Sequence, residues 1–188
     1  MTITRFTRFK DARFILLFFV LACVPHCQAQ DKPVTATVEP VWSGDTTSTT
    51  KAKESTIHDT DSKYEFKAVL QSWSGKPVSG ISLKLYVFAD TQNVKSTDNK
   101  LVLAKTLTAD SVNVGQTGSG TVDLGKITFK KSRTDIAATA KTPSSVVKSG
   151  QVYYGWVLEV LVDGKIIDTV FSSTTGDLQK AYESSAGK

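Results

Sequence analysis

An all-β antiparallel sandwich is the architecture this sequence predicts, and three observations carry the prediction. From Tyr64 onward apolar residues recur at every second position, as in strands buried on one face. The segments so marked are short and bounded by Gly, Pro, Asn, Asp and Ser, which suits antiparallel neighbours joined by turns. No long stretch carries the 3.6-residue repeat of an amphipathic helix. Only "DLQKAYE", residues 177–183, can dock a short helix, through Leu178 and Tyr182.

The N-terminus predicts an export signal. Residues 14–24, "FILLFFVLACV", are eleven uninterrupted apolar positions, whereas a helical bilayer span takes about 20. Arg5, Arg8, Lys10 and Arg13 precede the run against a single acid, Asp11, and Pro25 ends it. Cys27-Gln28-Ala29 then puts small residues at the two positions a signal peptidase requires, so residues 1–29 read as a secretory signal peptide with Gln30 as the new N-terminus. The rival reading makes "VLAC", residues 20–23, a lipobox with Cys23 lipidated, which would tie the chain to a membrane, and a plain transmembrane anchor is the remaining alternative.

Next, "PVTATVEPVW", residues 33–42, alternates Val34, Ala36 and Val38 and predicts an edge strand, where proline is permitted. "SGDTTSTTKAKESTIHDTDS", residues 43–62, is dominated by Ser, Thr and charge and has too little apolar surface to offset chain entropy. It predicts a flexible segment whose hydroxyl density would suit O-glycosylation, so residues 30–62 stand apart from a sandwich at 63–173. In that sandwich "YEFKAVLQSW" sets Tyr64, Phe66, Ala68 and Leu70 on one face, and "GISLKLYVF" does the same with Ile81, Leu83, Leu85 and Val87. After "LVLAKTLTADSVNV" comes "GTVDLGKITFK", where Val122, Leu124, Ile127 and Phe129 keep the alternation only if Gly125 marks a bulge. Residues 131–150 form a polar excursion.

The strongest local signal is "VYYGWVLEVLV", Asp163-Gly164, "KIIDTVFSS", a hairpin whose two-residue turn needs positive φ at both centres. Its register sets Val162 opposite Lys165 and Glu159 opposite Asp168, and it gathers Tyr154, Trp156, Leu158, Val160, Ile167 and Phe171 on the core face. Paired carboxyls would repel, which calls for a neighbouring Lys, solvent, a cation or a slipped register. The predicted core includes Phe66, Leu70, Leu83, Leu85, Val122, Leu158, Val160 and Phe171, and residues 174–188 supply the short helix and a tail. About seven strands over roughly 110 residues suit an immunoglobulin-like β-sandwich, without the Cys, Trp, Cys arrangement of antibody domains.

The strings "YEFKAVLQSWSGKPVSGISLKLYVFAD", "LVLAKTLTADSV", "GTVDLGKITF", "YYGWVLEVLVDGKIIDTVFSS" and "LQKAYE" together resemble small exported immunoglobulin-like proteins of certain Gram-negative bacteria. One member of that group has been compared with type IV pilus-associated domains. The resemblance spans about residues 64–183. It implies a structural or binding protein of the envelope and assigns no functional residue.

Charge and residue inventory exclude more than they assign. Of 23 basic and 18 acidic residues, four and one lie in 1–29, leaving 19 and 17 and a net charge of +2 in place of +5. A chain so nearly balanced is not expected to bind nucleic acid. If the cut follows Ala29, no cysteine remains, which excludes thiol nucleophiles and cysteine zinc sites. His58 is then the only histidine, in a segment read as flexible, so nothing is expected to hold it as a catalytic base. "HDTD", residues 58–61, offers Asp59 and Asp61 but lacks the further oxygens of a calcium loop. "GQTGSG", residues 115–120, is neither a nucleophile elbow nor a phosphate loop.

Glu159 and Asp168 are the best carboxylate pair for glycosidase chemistry. On a strand's outer face both would be hydrated and unable to donate a proton at neutral pH. Among the aromatic residues Trp42, Trp73, Trp156 and Tyr153, Trp73 is the best exposed sugar platform and Trp156 reads as core. The expectation is an exported, non-enzymatic protein of the periplasm, cell surface or extracellular space, with an assembly, adhesion or pilus-associated role and a protein partner in the envelope. Its alternative is a carbohydrate-binding module with a glycan ligand. No catalytic residue, metal or cofactor is expected. N-terminal sequencing of the exported protein should begin at Gln30, and a mass gain from acyl chains on Cys23 would establish the lipoprotein instead.

Overall fold

Period-two patterning yields seven strands and one helix in the computed structural model, which describes residues 33–187 apart from 73–75, 94–95, 117 and 140–142. The signal-peptide and lipobox readings, with Cys23 and Cys27, lie outside the described residues. The strands are β1 (Val34–Lys51), β2 (Ser55–Ser72), β3 (Val78–Asn93), β4 (Ser96–Val114), β5 (Ser119–Ile136), β6 (Ser145–Val162) and β7 (Lys165–Phe171), followed by α1 (Gly176–Ala186). Among the described residues no helix is long and apolar enough to cross a membrane.

All strand pairs are antiparallel. Hydrogen bonding runs β1-β2-β5-β6-β3-β4, with β7 also on β6. This path folds into two layers, because β6 pairs with β5 only from Ser145 to Gly150 and with β3 from Gly150 to Val162. Layer β1-β2-β5 faces layer β7-β6-β3-β4, the strand arrangement of an immunoglobulin-like sandwich. Between them lie Val34, Ala36 and Val38 of β1, Phe66, Ala68 and Leu70 of β2, Leu83, Leu85 and Val87 of β3, and Leu158 and Val160 of β6.

Gly150 is the corner of this crossing. It has φ +108°, and a Cβ there would lie 2.3 Å from the Lys130 carbonyl oxygen and 2.7 Å from Lys131 Cα. Only glycine lets β6 come that close to β5.

Beyond the core the sheet continues as a four-stranded arm. Thr47, Thr60, Lys131 and Gly150 stand in one row across it, and Thr49, His58, Arg133 and Lys148 in the next. Residues 43–51, 55–62, 131–136 and 145–150 are therefore ladders, and the flexible segment expected at 43–62 is corrected. Both segments lack apolar payload, yet each supplies the other's backbone hydrogen bonds, and threonine suits a pleated surface.

Three bulges set which side chains face the core. Leu124 is the extra residue against Phe66 and Lys67, beside Gly125 as the alternation requires. Phe88 pairs with Gly155 and Ala89 with Tyr153, so Tyr154 is extra and Tyr153, not Tyr154, packs inward. In the final hairpin Val162 opposes Lys165 and the turn residues Asp163 and Gly164 have φ 50° and 75°, as predicted. Leu161 then pairs with Ile166 and Val160 with Asp168, leaving Ile167 extra. Glu159 thus faces Thr169 instead of Asp168, and the slipped register relieves the like-charge pair.

The same slip turns Phe171 outward, correcting its place in the inter-sheet core. It joins a second cluster of Tyr86, Phe88, Val157, Leu178 and Tyr182 beneath α1. Val122 is half-buried against the main core, while the other predicted core residues are buried in it. A helix of 11 residues is marginal alone. Docking Leu178 and Tyr182 contributes about 1.5–3 kcal/mol for each fully buried side chain.

Leu85→Ala should destabilise the fold by about 2–5 kcal/mol in urea unfolding. Gly150→Ala removes no contact and should still cost about 1–3 kcal/mol, since the added Cβ must displace the Lys130–Lys131 backbone. Wild-type stability in the second variant would show that β6 does not cross at this point.

Candidate functional site

Where the two layers part, the core face of layer β1-β2-β5 runs on into the arm and changes character from aromatic to charged. Tyr64, Phe66, Phe129 and Tyr153 close the end of the core. The Tyr153 ring lies 4.8 Å from Tyr64, 6.0 Å from Phe66 and 5.9 Å from Phe129, between centroids. Trp42 pairs with Tyr64 across β1 and β2 and is 58% exposed, and its Nε1–H donates to Asp45 Oδ1 at 3.1 Å. Hydrogen bonds from Ser62 and then Trp42, with the charge of Lys131, hold the Asp45 carboxyl below its ordinary range.

One step farther out a concavity of about 420 Å³ is lined by His58, Thr60, Gln92, Lys131, Arg133 and Lys148. Gln92 comes from β3, so both layers contribute to this mouth. His58 is held on two sides. Thr49 Oγ1 lies 3.2 Å from its Nδ1, and Asp135 Oδ2 lies 3.4 Å from its Nε2. The expectation that nothing would hold this imidazole is therefore corrected: the arm aligns a hydroxyl, an imidazole and a carboxyl. That order is the one used in acyl transfer. The surroundings differ, because Arg133 Nε donates to the other Asp135 oxygen at 2.8 Å and the His58 and Asp135 side chains are each 36% exposed. His58 also sits on β2, flanked by strands on both sides, where backbone N–H groups serve the ladders instead of a developing oxyanion.

The remaining sequence candidates separate. Asp59 and Asp61 share the arm's opposite face, and Lys130 Nζ lies 3.9 Å from Asp61 Oδ2, a cation already supplied. Among the described residues no group of three or more His, Cys, Asp or Glu could hold a metal ion. Trp156 is core, as read, and Trp73 lies outside the described residues.

Glu159 is not hydrated, as an outer-face position predicted, but 4% exposed. Tyr86 donates to its Oε2 at 3.3 Å and Tyr182 of α1 donates to Oε1. Lys84 stands opposite Glu159 on β3 with its Nζ 5.0 Å from the Tyr86 ring centroid. A side-chain hydrogen bond with Tyr86, and to a lesser degree the Glu159 charge, raise the Lys84 amine above its ordinary value. Glu159 is thereby bound into helix docking, with Asp168 on a different register row. A groove of about 730 Å³ also separates α1 from β4, where Leu101, Leu103 and Tyr154 meet Asp177 and Lys180.

No protein-family model matches this chain, and no curated protein matches it. Among solved structures, a Northeast Structural Genomics Consortium target is similar at 7% identity over 66% of this chain and 88% of that one, with a TM-score of 0.29. A protein from Akkermansia muciniphila is similar at 17% identity over 84% and 80%, with a TM-score of 0.24. At these scores neither informs the site.

The mouth could have been found in the sequence only by placing 43–62 and 131–150 side by side, which no local signal does. Its aromatic floor has a measurable signature. Burial, and then the neighbouring Tyr64 phenol, push Tyr153 from 10.0 up to about 12. A group that stays neutral longer in the fold than in the unfolded chain supports stability fully below the unfolded value. That support is lost as pH rises through the folded value. Stability in denaturant unfolding should therefore fall between pH 10 and about 12, and Tyr153→Phe should flatten that decline.

Proposed function

We propose that this is an exported, non-enzymatic protein of the cell envelope that acts by contact, in assembly or adhesion, through its four-stranded arm. The observation that supports the reading is that the arm is ordered without a core of its own. Its faces are mostly polar, so cross-strand hydrogen bonds carry most of the compensation for a backbone entropy cost of about 1–2 kcal/mol per residue. Such an element adds little to stability and much to surface. It presents exposed apolar side chains as well, Val146 at 53% and Ile136 at 37%, with Trp42 at its base. Val146 shares the face of Trp42, so a protein partner that covers this face buries both. The reading of residues 1–29 as an export signal, from the basic residues and the apolar run at 14–24, supports export.

Trp42 favours a second reading, carbohydrate binding. Its ring is exposed and its indole N–H is tied to Asp45, which sets an aromatic plane of the kind that stacks on sugars.

A photo-crosslinking side chain placed at Val146 or Trp42 in the native host should capture one envelope component, and the same group at exposed Lys105 of β4 should not. Capture from Lys105 alone would overturn the contact surface. Turnover in an esterase or glycosidase screen that is abolished by His58→Ala or Glu159→Gln would overturn the non-enzymatic reading.

A further inference from the structure

The mouth of the sandwich carries more positive charge than its own fold explains. Arg133 and Lys148 are directly opposite on β5 and β6, and like charges so placed are destabilising. Lys131 lies two residues from Arg133 on the same face, and the three cations converge on the concavity with His58. Asp135 answers Arg133 and His58. Among the described residues neither Lys131 nor Lys148 has a carboxylate within 4.0 Å.

We propose that this mouth binds the acidic group of a saccharide, a uronate carboxylate or a sugar sulfate, between Lys131, Lys148 and Arg133. The Gln92 amide and the Thr60 hydroxyl line the same space and supply neutral hydrogen bonds to ring hydroxyls. Lys131 stands in the row next to that of Asp45 on the same face, and Asp45 is the residue that Trp42 is bonded to, so the cationic mouth adjoins the exposed indole on which a sugar ring stacks. A pocket of about 420 Å³ is of the size that small ligands occupy.

The flanking acids favour a saccharide over nucleic acid. Asp45 and Asp135 lie on the same face as the cations. A phosphate backbone crossing the mouth would carry its charges past them, whereas a saccharide seats one acidic group among the cations and turns neutral ring hydroxyls toward the acids. The inference rests on the carbohydrate reading and is independent of the envelope-contact reading.

Calorimetric titration of the purified protein tests it with three probes: an oligogalacturonate, the same oligosaccharide with its carboxyls reduced, and a single-stranded oligonucleotide. The oligogalacturonate should bind, more weakly as salt rises. The reduced form should lose most of that affinity. Lys131→Gln and Lys148→Gln should each weaken binding about tenfold, and Lys148→Arg should retain it. The His58 imidazole resonances, assigned with His58→Gln, should shift on addition of oligogalacturonate. That readout also tests the site should a lysine variant fail to fold. Equal binding of the charged and reduced sugars, unaffected by either lysine variant, would overturn the anion site and leave the carbohydrate reading standing. Binding of neither sugar would overturn both, and preference for the oligonucleotide would overturn the saccharide assignment.

Discussion

Strand β6 belongs to both layers, and its passage past β5 at Gly150 is the constraint on which the rest of the structure depends. Before that residue β6 completes the arm; after it β6 runs through the middle of the opposite layer. A side chain at the corner would hold the two strands apart, because the Lys130 carbonyl oxygen occupies the space where Cβ would be. Closing the strands there joins two layers that would otherwise meet only through side chains. It also makes them diverge beyond the corner, and the mouth is the space that divergence leaves.

Arm and core rest on different forces. In the core, burial of Phe66, Leu70, Leu83, Leu85 and Leu158 dominates, and each strand contributes by alternation. In the arm the side chains are mostly polar, with Ile57, Ile136, Val146 and Val147 the exceptions, and order comes from ladders on β2 and β5, each paired on two sides. That difference explains why charge accumulates at the mouth. A face that no longer packs against a second layer is free to carry Lys131, Arg133 and Lys148, which the core could not desolvate.

The layer containing β3 and β6 is covered twice, by the opposing sheet on one face and by α1 on the other. Its strands accordingly read as nearly continuous apolar runs, "LKLYVFA" and "GWVLEVLV". The interruptions in those runs are Lys84 and Glu159, which stand opposite one another beside Tyr86 and Tyr182. A buried carboxyl there gives the helix a polar anchor in addition to its two apolar side chains. At Gly155 a Cβ would come within 2.7 Å of Ser172 Oγ, which accepts from the Trp156 N–H, and would meet Leu178 of α1 at 3.5 Å.

Local chemistry in the sequence determined the strands with a buried face, the Asp163-Gly164 turn, the Gly125 bulge and the short helix of Leu178 and Tyr182. Each depends on residues within one or two turns of chain, where periodicity and φ preference act directly. Tertiary structure alone decided the arm, the inward turn of Tyr153, the outward turn of Phe171 and the burial of Glu159. The arm needs a partner strand some seventy residues away, since Thr60 pairs with Lys131. A single bulge residue, Tyr154 or Ile167, exchanges the two faces of everything beyond it. The candidate site was legible only as pieces, Trp42, His58 and a polar run from Lys131, because what assembles them is backbone pairing, to which side-chain pattern contributes little.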